Sequence, residues 1–309
     1  MIDKKIKNCF ILGPARSGTA FLHSILVQHP EISGSIKKEP NFFNLNSNFN
    51  QGINFYHSMF DRKKYIYLDS SHRYFYLPYV ADRIKSYNAD SKFIIILRNP
   101  LRRIFSHYYY QFSRNIEKMS FSDAINHDLD RLNNEIYFSS PEDYDKYKKK
   151  YGCDEPMDYY RTYIDSGLIF QQYKNFLKFF SKKNFIFINF DELIYDTGNT
   201  LNKISLFLEI DNFSNYKLPH TKNESRAFLL SKLTSFLINF FPYKKYIPFF
   251  IKKFYIYFIS LISKYFFSNP IDKLINKNKD IIPLITDFYY KDHEKLKNIS
   301  KIDIKNLKH

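Results

Sequence analysis

Apolar residues gather in a few short runs along this chain. The segments 65–68, 93–97 and 185–190 are continuous rather than alternating, and they are rich in β-branched and aromatic residues. Each gives way to polar residues and then to a helical pattern, as does an earlier apolar segment at 6–12. Runs of this kind fit strands buried on both faces, and strands alternating with helices fit a parallel sheet covered on both sides. The 3.6-residue period predicts helices near 18–28, 77–87, 100–114, 164–180 and 200–208. Pro100 suits a first helical position, where its missing N–H costs nothing. The stretch 117–158 is polar, tyrosine-rich and dense in charge, and reads as an insertion of loops and short helices. From Phe228 onward the pattern is helical, aromatic and basic, with no strand signal. The expectation is an α/β protein with a P-loop-like parallel β-sheet flanked by helices and a helical C-terminal extension. It reads as one domain over 1–309, with its core ending at about 227.

The first apolar segment runs into Gly13-Pro14-Ala15-Arg16-Ser17-Gly18-Thr19-Ala20 and then an amphipathic helix. Strand, glycine-bracketed loop and helix in that order let backbone N–H groups and a helix N-terminus converge on an anion. A nucleotide-hydrolysing loop carries Lys then Ser/Thr after its second glycine, for the terminal phosphates and Mg²⁺. Here Thr19-Ala20 stand there, and the loop's cation is Arg16. The loop reads as a phosphate cradle without Mg·ATP chemistry.

Composition alters this picture little. Lys and Arg number 47 against 31 Asp and Glu, giving a net charge of +16 over 309 residues. The abundance of Lys, Asn, Ile, Phe and Tyr matches an AT-rich coding bias, so the charge by itself does not call for nucleic acid. It does favour anionic partners such as cofactor phosphates, acidic glycans or a membrane surface. The two cysteines, Cys9 and Cys153, make neither a disulfide framework nor a metal-ligand cluster, and Cys9 reads as a buried free thiol. The N-terminus lacks a signal-peptide core, and no apolar run reaches the roughly 18 residues of a membrane span. A cytoplasmic protein is expected, with no metal and no nucleic-acid partner. Residues 236–267 mix aromatics with lysines and could dock one face on an anionic membrane.

A second anion site follows the third run. Arg98 falls at the carboxyl end of a strand, where open α/β sheets bind ligands, and Ser106 lies on the following helix facing back toward the same edge. A guanidinium and a hydroxyl there can fix a phosphate by charge-assisted hydrogen bonds. Two phosphate sites on one sheet suit a nucleotide phosphorylated at opposite ends of its ribose.

These residues resemble a known family. Gly13–Ala20, Lys38-Glu39-Pro40-Asn41-Phe42-Phe43 and Leu97-Arg98-Asn99-Pro100 with Arg103, Ser106 and Tyr108 are similar to sulfotransferases dependent on 3′-phosphoadenosine 5′-phosphosulfate (PAPS). The likeness is to the carbohydrate branch, which includes heparan sulfate sulfotransferases and bacterial relatives, and it covers roughly residues 6 to 230. It implies that Arg16, Ser17, Gly18, Thr19 and Ala20 hold the 5′-phosphosulfate end and that Arg98 and Ser106 hold the 3′-phosphate. A loop at 221–226 resembles the family's cofactor-closing loop and carries Arg226 over as a further contact. Asp69-Ser70-Ser71-His72-Arg73-Tyr74 resembles a family segment in which the heparan group has lysine at the Ser70 position.

The implied reaction moves a sulfuryl group from PAPS to a hydroxyl or amine, leaving adenosine 3′,5′-bisphosphate. Acceptors of the implied kind are a glycan, a lipid-linked sugar or a small molecule. Glu39 is the expected base, since the short return after the first helix brings it back to the phosphate-loop edge. Phe42 and Phe43 beside it are expected to dry the site and raise its pKa. Arg16 is expected to stabilise charge on the leaving phosphate. His72, His107, His220 and His293 are each isolated in sequence and read as structural or surface residues, with His72 and His107 lying inside motif segments. Two other readings remain: a P-loop nucleotide kinase, for which Asp69 is the candidate Mg²⁺ carboxylate, and a non-catalytic basic protein binding nucleic acid or a membrane surface.

Overall fold

A computed structural model describes residues 7–135, 137–151, 161–219 and 270–300. Five parallel strands form one sheet in the order β2-β3-β1-β4-β5: β1 Lys7–Leu12, β2 Ile32–Gly34, β3 Ile66–Asp69, β4 Lys92–Leu97 and β5 Phe185–Asn189. From β1 the chain lays β2 at one edge and returns to place β3 between them, then crosses to add β4 and β5 on the other side. The strand order therefore reverses beside β1, and the crevice at its carboxyl end is where such sheets bind ligands.

Alternation along the strands sorts the core into two layers. Cys9, Ile11, Ile94, Ile96 and Ile188 pack with Leu22, Ile25 and Leu26 of the helix Thr19–Leu26 and Leu201, Ile204 and Leu208 of the helix Thr197–Leu208. Phe10, Leu12, Phe93, Ile95 and Leu97 face an aromatic layer holding Phe42, Phe43, Tyr56, Tyr74 and Phe176. Burial raises the Cys9 thiol to about 12, so it acts as an apolar core group.

Pro100 opens the helix Pro100–Ser113 as expected, with the Asn99 side chain accepting from Arg102 N at 3.0 Å as its cap. Three elements differ from the sequence reading. β2 is a strand of three residues. The insertion, read as loops and short helices, contains the 13-residue helix Phe121–Asn133 and the 11-residue helix Pro141–Tyr151. The helix expected at 164–180 is shorter, Ile169–Phe176, preceded by a 3₁₀ turn at Asp165–Gly167. At Gly167 a Cβ would meet Arg103 Nη2 at 2.6 Å, so the backbone there is pressed against a buried guanidinium.

Of the C-terminal extension, two helices are described, Pro270–Lys277 and Ile282–Ser300. Ile281, Ile282, Ile285 and Tyr289 join Leu101, Ile104, Phe105 and Phe121 in a third apolar cluster. The extension's boundary near 227, Cys153, His220, Arg226 and the segment 236–267 lie outside the described residues. Among the described residues no helix is long and apolar enough to cross a membrane.

Candidate active site

The phosphate loop leaves β1 through Gly13 and turns sharply, with Arg16 at φ 70° and Gly18 at φ 101°. Ser17 is fully buried and ties the turn together: its backbone N and its Oγ both donate to the Pro14 carbonyl, at 3.1 and 2.8 Å. Gly18 serves as the N-cap of the helix Thr19–Leu26, whose first turn carries no acidic residue. A Cβ on Gly18 would lie 2.7 Å from the Phe190 ring. Thr19 is buried at the helix start and Ala20 is exposed.

The residues assigned to two phosphate sites come together in one cluster. Arg16 Nε donates to Ser106 Oγ at 3.2 Å, and Arg98 Nη1 donates to the Arg16 carbonyl. The Arg98 guanidinium lies 4.3 Å from the Phe190 ring centroid, and that of Arg16 lies 4.7 Å from the Tyr110 ring. Burial and the neighbouring Arg16 and Arg103 lower Arg98 to about 10, with Asp191 opposing them. Positive charge is thus concentrated beside a helix N-terminus at the sheet's switch point, which suits a multiply charged anion. Sequence reasoning missed the two aromatic supports, Phe190 and Tyr110. Phe190 reads as the end of a strand and instead begins the helix Phe190–Tyr195.

Glu39 lies on the return from β2, and both of its oxygens are engaged. Lys38 Nζ meets Oε1 at 2.6 Å, and His72 Nδ1 meets Oε2 at 2.9 Å. Burial alone pushes the carboxyl's pKa up, but His72 and Lys38 outweigh it and hold it well below the ordinary 4.5. The expectation that Phe42 and Phe43 would raise it is therefore corrected. Both rings turn away into the core, where Phe42 lies 4.7 Å from the Tyr56 ring and Phe43 5.1 Å.

The turn that separates Glu39 from those phenylalanines is pinned by a buried network. Asn41 adopts φ 51°, a left-handed conformation that asparagine tolerates. Its backbone N donates to Ser71 Oγ at 3.1 Å, while Phe42 N and Phe43 N donate to Tyr74 Oη at 2.8 and 3.2 Å. Both hydroxyls in turn donate hydrogen bonds to Asp69, Ser71 Oγ to Oδ1 at 2.8 Å and Tyr74 Oη to Oδ2 at 3.0 Å. Ser71 N and Tyr56 Oη complete the shell at 3.0 and 3.2 Å. Asp69 is fully buried inside this shell, and desolvation raises it to about 6. Its position excludes it as an exposed Mg²⁺ carboxylate and, with no lysine after Gly18, removes the basis for the kinase reading. Ser70 pairs with His23, Oγ to Nδ1 at 2.7 Å.

His72 and His107 are not isolated. They line one small cavity with Pro14 and Ala15 of the phosphate loop, joined by Arg73, Tyr76 and Gln172. Burial, together with Arg103, His72 and Arg16, holds the His107 imidazole well below 6.5, so it is neutral. A second small cavity lies beside Pro14 and Arg98 and is lined by Tyr289, Asp292 and His293 of the C-terminal helix. The extension therefore reaches the phosphate-loop edge, a contact with no sequence signal.

A family model of the sulfotransferase domain matches residues 7–235. The chain belongs to that family. Among similar proteins, the bifunctional heparan sulfate N-deacetylase/N-sulfotransferase 1 of Caenorhabditis briggsae is 25% identical over 215 residues, covering 68% of this chain and 23% of the relative. Heparan sulfate glucosamine 3-O-sulfotransferase 6 of Homo sapiens is 24% identical over 208 residues, covering 66% of this chain and 53% of the relative. The chain thus spans about half or less of the length of these relatives. A crystal structure of a sulfotransferase from Alicyclobacillus acidocaldarius aligns with TM-score 0.55 and 25% identity, covering 74% of this chain and 92% of that one. The family shares the P-loop-like α/β sheet described above.

Proposed function

We propose that this chain transfers a sulfuryl group from PAPS to a hydroxyl or amine of a glycan, glycolipid or small molecule. The observation that carries the reading is the Arg16–Ser106–Arg98 cluster at the switch point. It gathers excess positive charge and a hydroxyl at a helix N-terminus and has no lysine for a nucleotide triphosphate. That residue set fits a nucleotide bearing both a 5′-phosphosulfate and a 3′-phosphate. Ser17, Gly18, Thr19 and Ala20 belong to the 5′ end in this reading, Arg98 and Ser106 to the 3′ end, and Arg226 is carried over by resemblance alone. Similarity to enzymes named for heparan sulfate supports a sugar as acceptor.

PAPS supplies an activated sulfuryl group, whose bond to the phosphate oxygen breaks as the acceptor oxygen or nitrogen bonds to sulfur. Arg16 offsets charge gathering on the phosphate side, a matter of positioning and electrostatics. The acceptor's proton passes to the Glu39–His72 pair. Glu39 is already an ionised carboxylate, and His72 links it to the cavity beside Ala15. Lys38 holds the second carboxylate oxygen.

The test is transfer of ³⁵S-sulfate from PAPS into a panel of glycans, glycolipids and small hydroxyl and amine compounds. Labelled product with wild type, and much less with Arg98→Ala at sub-saturating PAPS, is the expected result. Binding of Mg·ATP in preference to adenosine 3′,5′-bisphosphate contradicts the reading.

A further inference from the structure

Beyond the His72–His107 cavity the same wall continues into a cleft of about 280 Å³. Tyr76 and Gln172 line both spaces, so the cleft extends outward from the phosphate-loop edge. Its volume is close to the lower end of small-ligand sites, roughly 300–1,000 Å³. Three aromatic residues, Tyr76, Tyr137 and Phe138, form part of its surface, and Tyr137 is 43% exposed at the rim. Three amides, Gln171, Gln172 and Asn175, face them from the helix Ile169–Phe176.

Two details give the cleft a chemical preference. Gln172 is 4% exposed; its Nε2 donates to the Asp165 carbonyl at 2.8 Å, but its buried Oε1 has no hydrogen-bond partner. A buried acceptor left in this way is open to a donor from water or from a ligand hydroxyl. The second detail is charge. Among the described residues lining the cleft there is no lysine or arginine, in a chain of net charge +16. Asp165 is its charged residue, and Tyr76 Oη donates to Oδ2 at 2.6 Å. Behind the wall Arg131 meets Asp165 at 2.6 Å and Asp128 at 2.8 Å, so two carboxylates share one buried guanidinium. Sulfates or uronates on an acceptor would find no lysine or arginine among the described lining residues and would face the Asp165 carboxylate, already engaged by Tyr76 and Arg131.

We infer that this cleft binds the acceptor and selects an uncharged, hydroxyl-rich sugar over an anionic glycan. The inference rests on the sulfuryl-transfer reading above and narrows its acceptor class. Sugar faces stack on Tyr76 and Tyr137, and a sugar hydroxyl donates to Gln172 Oε1. Arginines gather at the inner end, where Arg103, Arg16 and Arg73 stand near His107, and among the described residues the outer cleft is lined by none.

The experiment uses the full chain with adenosine 3′,5′-bisphosphate bound. Saturation-transfer NMR and calorimetry compare uncharged cello-, malto- and chito-oligosaccharides with heparan sulfate, and ³⁵S transfer from PAPS is read in parallel. At least one uncharged series should bind at least about tenfold more tightly than the anionic chain at physiological salt, and Tyr137→Ala should weaken it about tenfold. Gln171→Lys with Asn175→Lys should move the preference toward heparan sulfate, a change that a merely structural role would not produce. Absence of binding by every uncharged series, tighter binding of heparan sulfate by wild type, or indifference to Tyr137→Ala each overturns the assignment. Failure of the bisphosphate to bind while sugars still do would instead defeat sulfuryl transfer and leave the cleft standing.

Discussion

Arg16 and Ser106 are 90 residues apart in the chain and are joined by a 3.2 Å hydrogen bond from Nε to Oγ. One belongs to the loop after β1, the other to the helix after β4, and Arg98 fastens the same loop from below through the Arg16 carbonyl. Residues read from the sequence as two phosphate sites thus form a single electropositive surface.

That surface sets the expected nucleotide preference. Adenosine 3′,5′-bisphosphate should bind more tightly than AMP, and Arg98→Ala should remove most of the difference. A charge-assisted contact is worth roughly 1.5–3 kcal/mol, so the loss is about 10- to 100-fold in Kd by calorimetry. Equal affinity of wild type for the two nucleotides would contradict the shared site.

Glu39→Gln should lower turnover by about 10²-fold or more while leaving bisphosphate affinity nearly unchanged. Arg16→Ala should weaken both. Because His72 and Lys38 hold the Glu39 pKa below 4.5, the carboxylate stays ionised throughout the working range. Its folded pKa is depressed, so its contribution to stability is present above 4.5 and is lost as pH falls through the lower folded value. Rate profiles between pH 5 and 9 should then show no ionisation that Glu39→Gln abolishes. An acid limb near 4.5 that vanishes in this variant would show the pairing with His72 to be wrong.

Asp69 has the opposite sign. Its folded pKa is raised from 3.8 to about 6, so its stabilising contribution is full below 3.8 and is lost as pH rises through 6. Between pH 4 and 7 wild type should lose melting temperature relative to Asp69→Asn, as followed by circular dichroism. Asp69→Ala leaves the Tyr56 and Tyr74 hydroxyls without their acceptor and should cost roughly 2–4 kcal/mol in denaturant titrations at pH 4, and less as pH rises through 6. It should also loosen the Glu39 turn, which hangs from Tyr74 and Ser71. Unchanged stability in Asp69→Ala would rule out this network as the turn's support.

Gly18→Ala should be costly for two separate reasons. The φ of 101° strains any side chain, and the new Cβ would lie 2.7 Å from the Phe190 ring. Adding Phe190→Ala relieves the contact and leaves the strain, so thermal stability in the double variant should recover only in part relative to Phe190→Ala alone. Full recovery would mean that the backbone angle matters little.

The sheet and the phosphate loop were legible because buried parallel strands are written as local apolar runs, and a loop turn needs glycine at set positions. β2 was not, since Ile32-Ser33-Gly34 offers one apolar residue and no run. The helix Phe121–Asn133 was read as part of a loop-rich insertion because its buried stripe passes from Phe121, Ala124 and Ile125 to Asp128 and Arg131. Charged residues on an inward face disguise the helical period, and their pairing with each other and with Asp165 makes their burial tolerable. At the site, Arg16, Arg98 and Glu39 could be found from their motifs. The partners that define their chemistry could not, because His72 lies 33 residues from Glu39 and Phe190 lies far beyond Arg98.

Arg103 illustrates a consequence for the birth of the molecule. Its buried guanidinium donates to the Tyr289 hydroxyl at 2.7 Å, 186 residues further along the chain. That hydroxyl also bonds the Ile164 carbonyl at 3.0 Å, while Asp292 accepts from Phe170 N and Gln171 N at the start of the Ile169–Phe176 helix. At 5–20 residues per second, a ribosome needs roughly 10–40 s to travel from Arg103 to Tyr289. Throughout that interval the nascent sheet can form, but a guanidinium still lacking its Tyr289 partner and an uncapped helix flank its ligand edge. The nascent polypeptide therefore reaches its finished hydrogen bonding at this edge only after Tyr289 and Asp292 have been made.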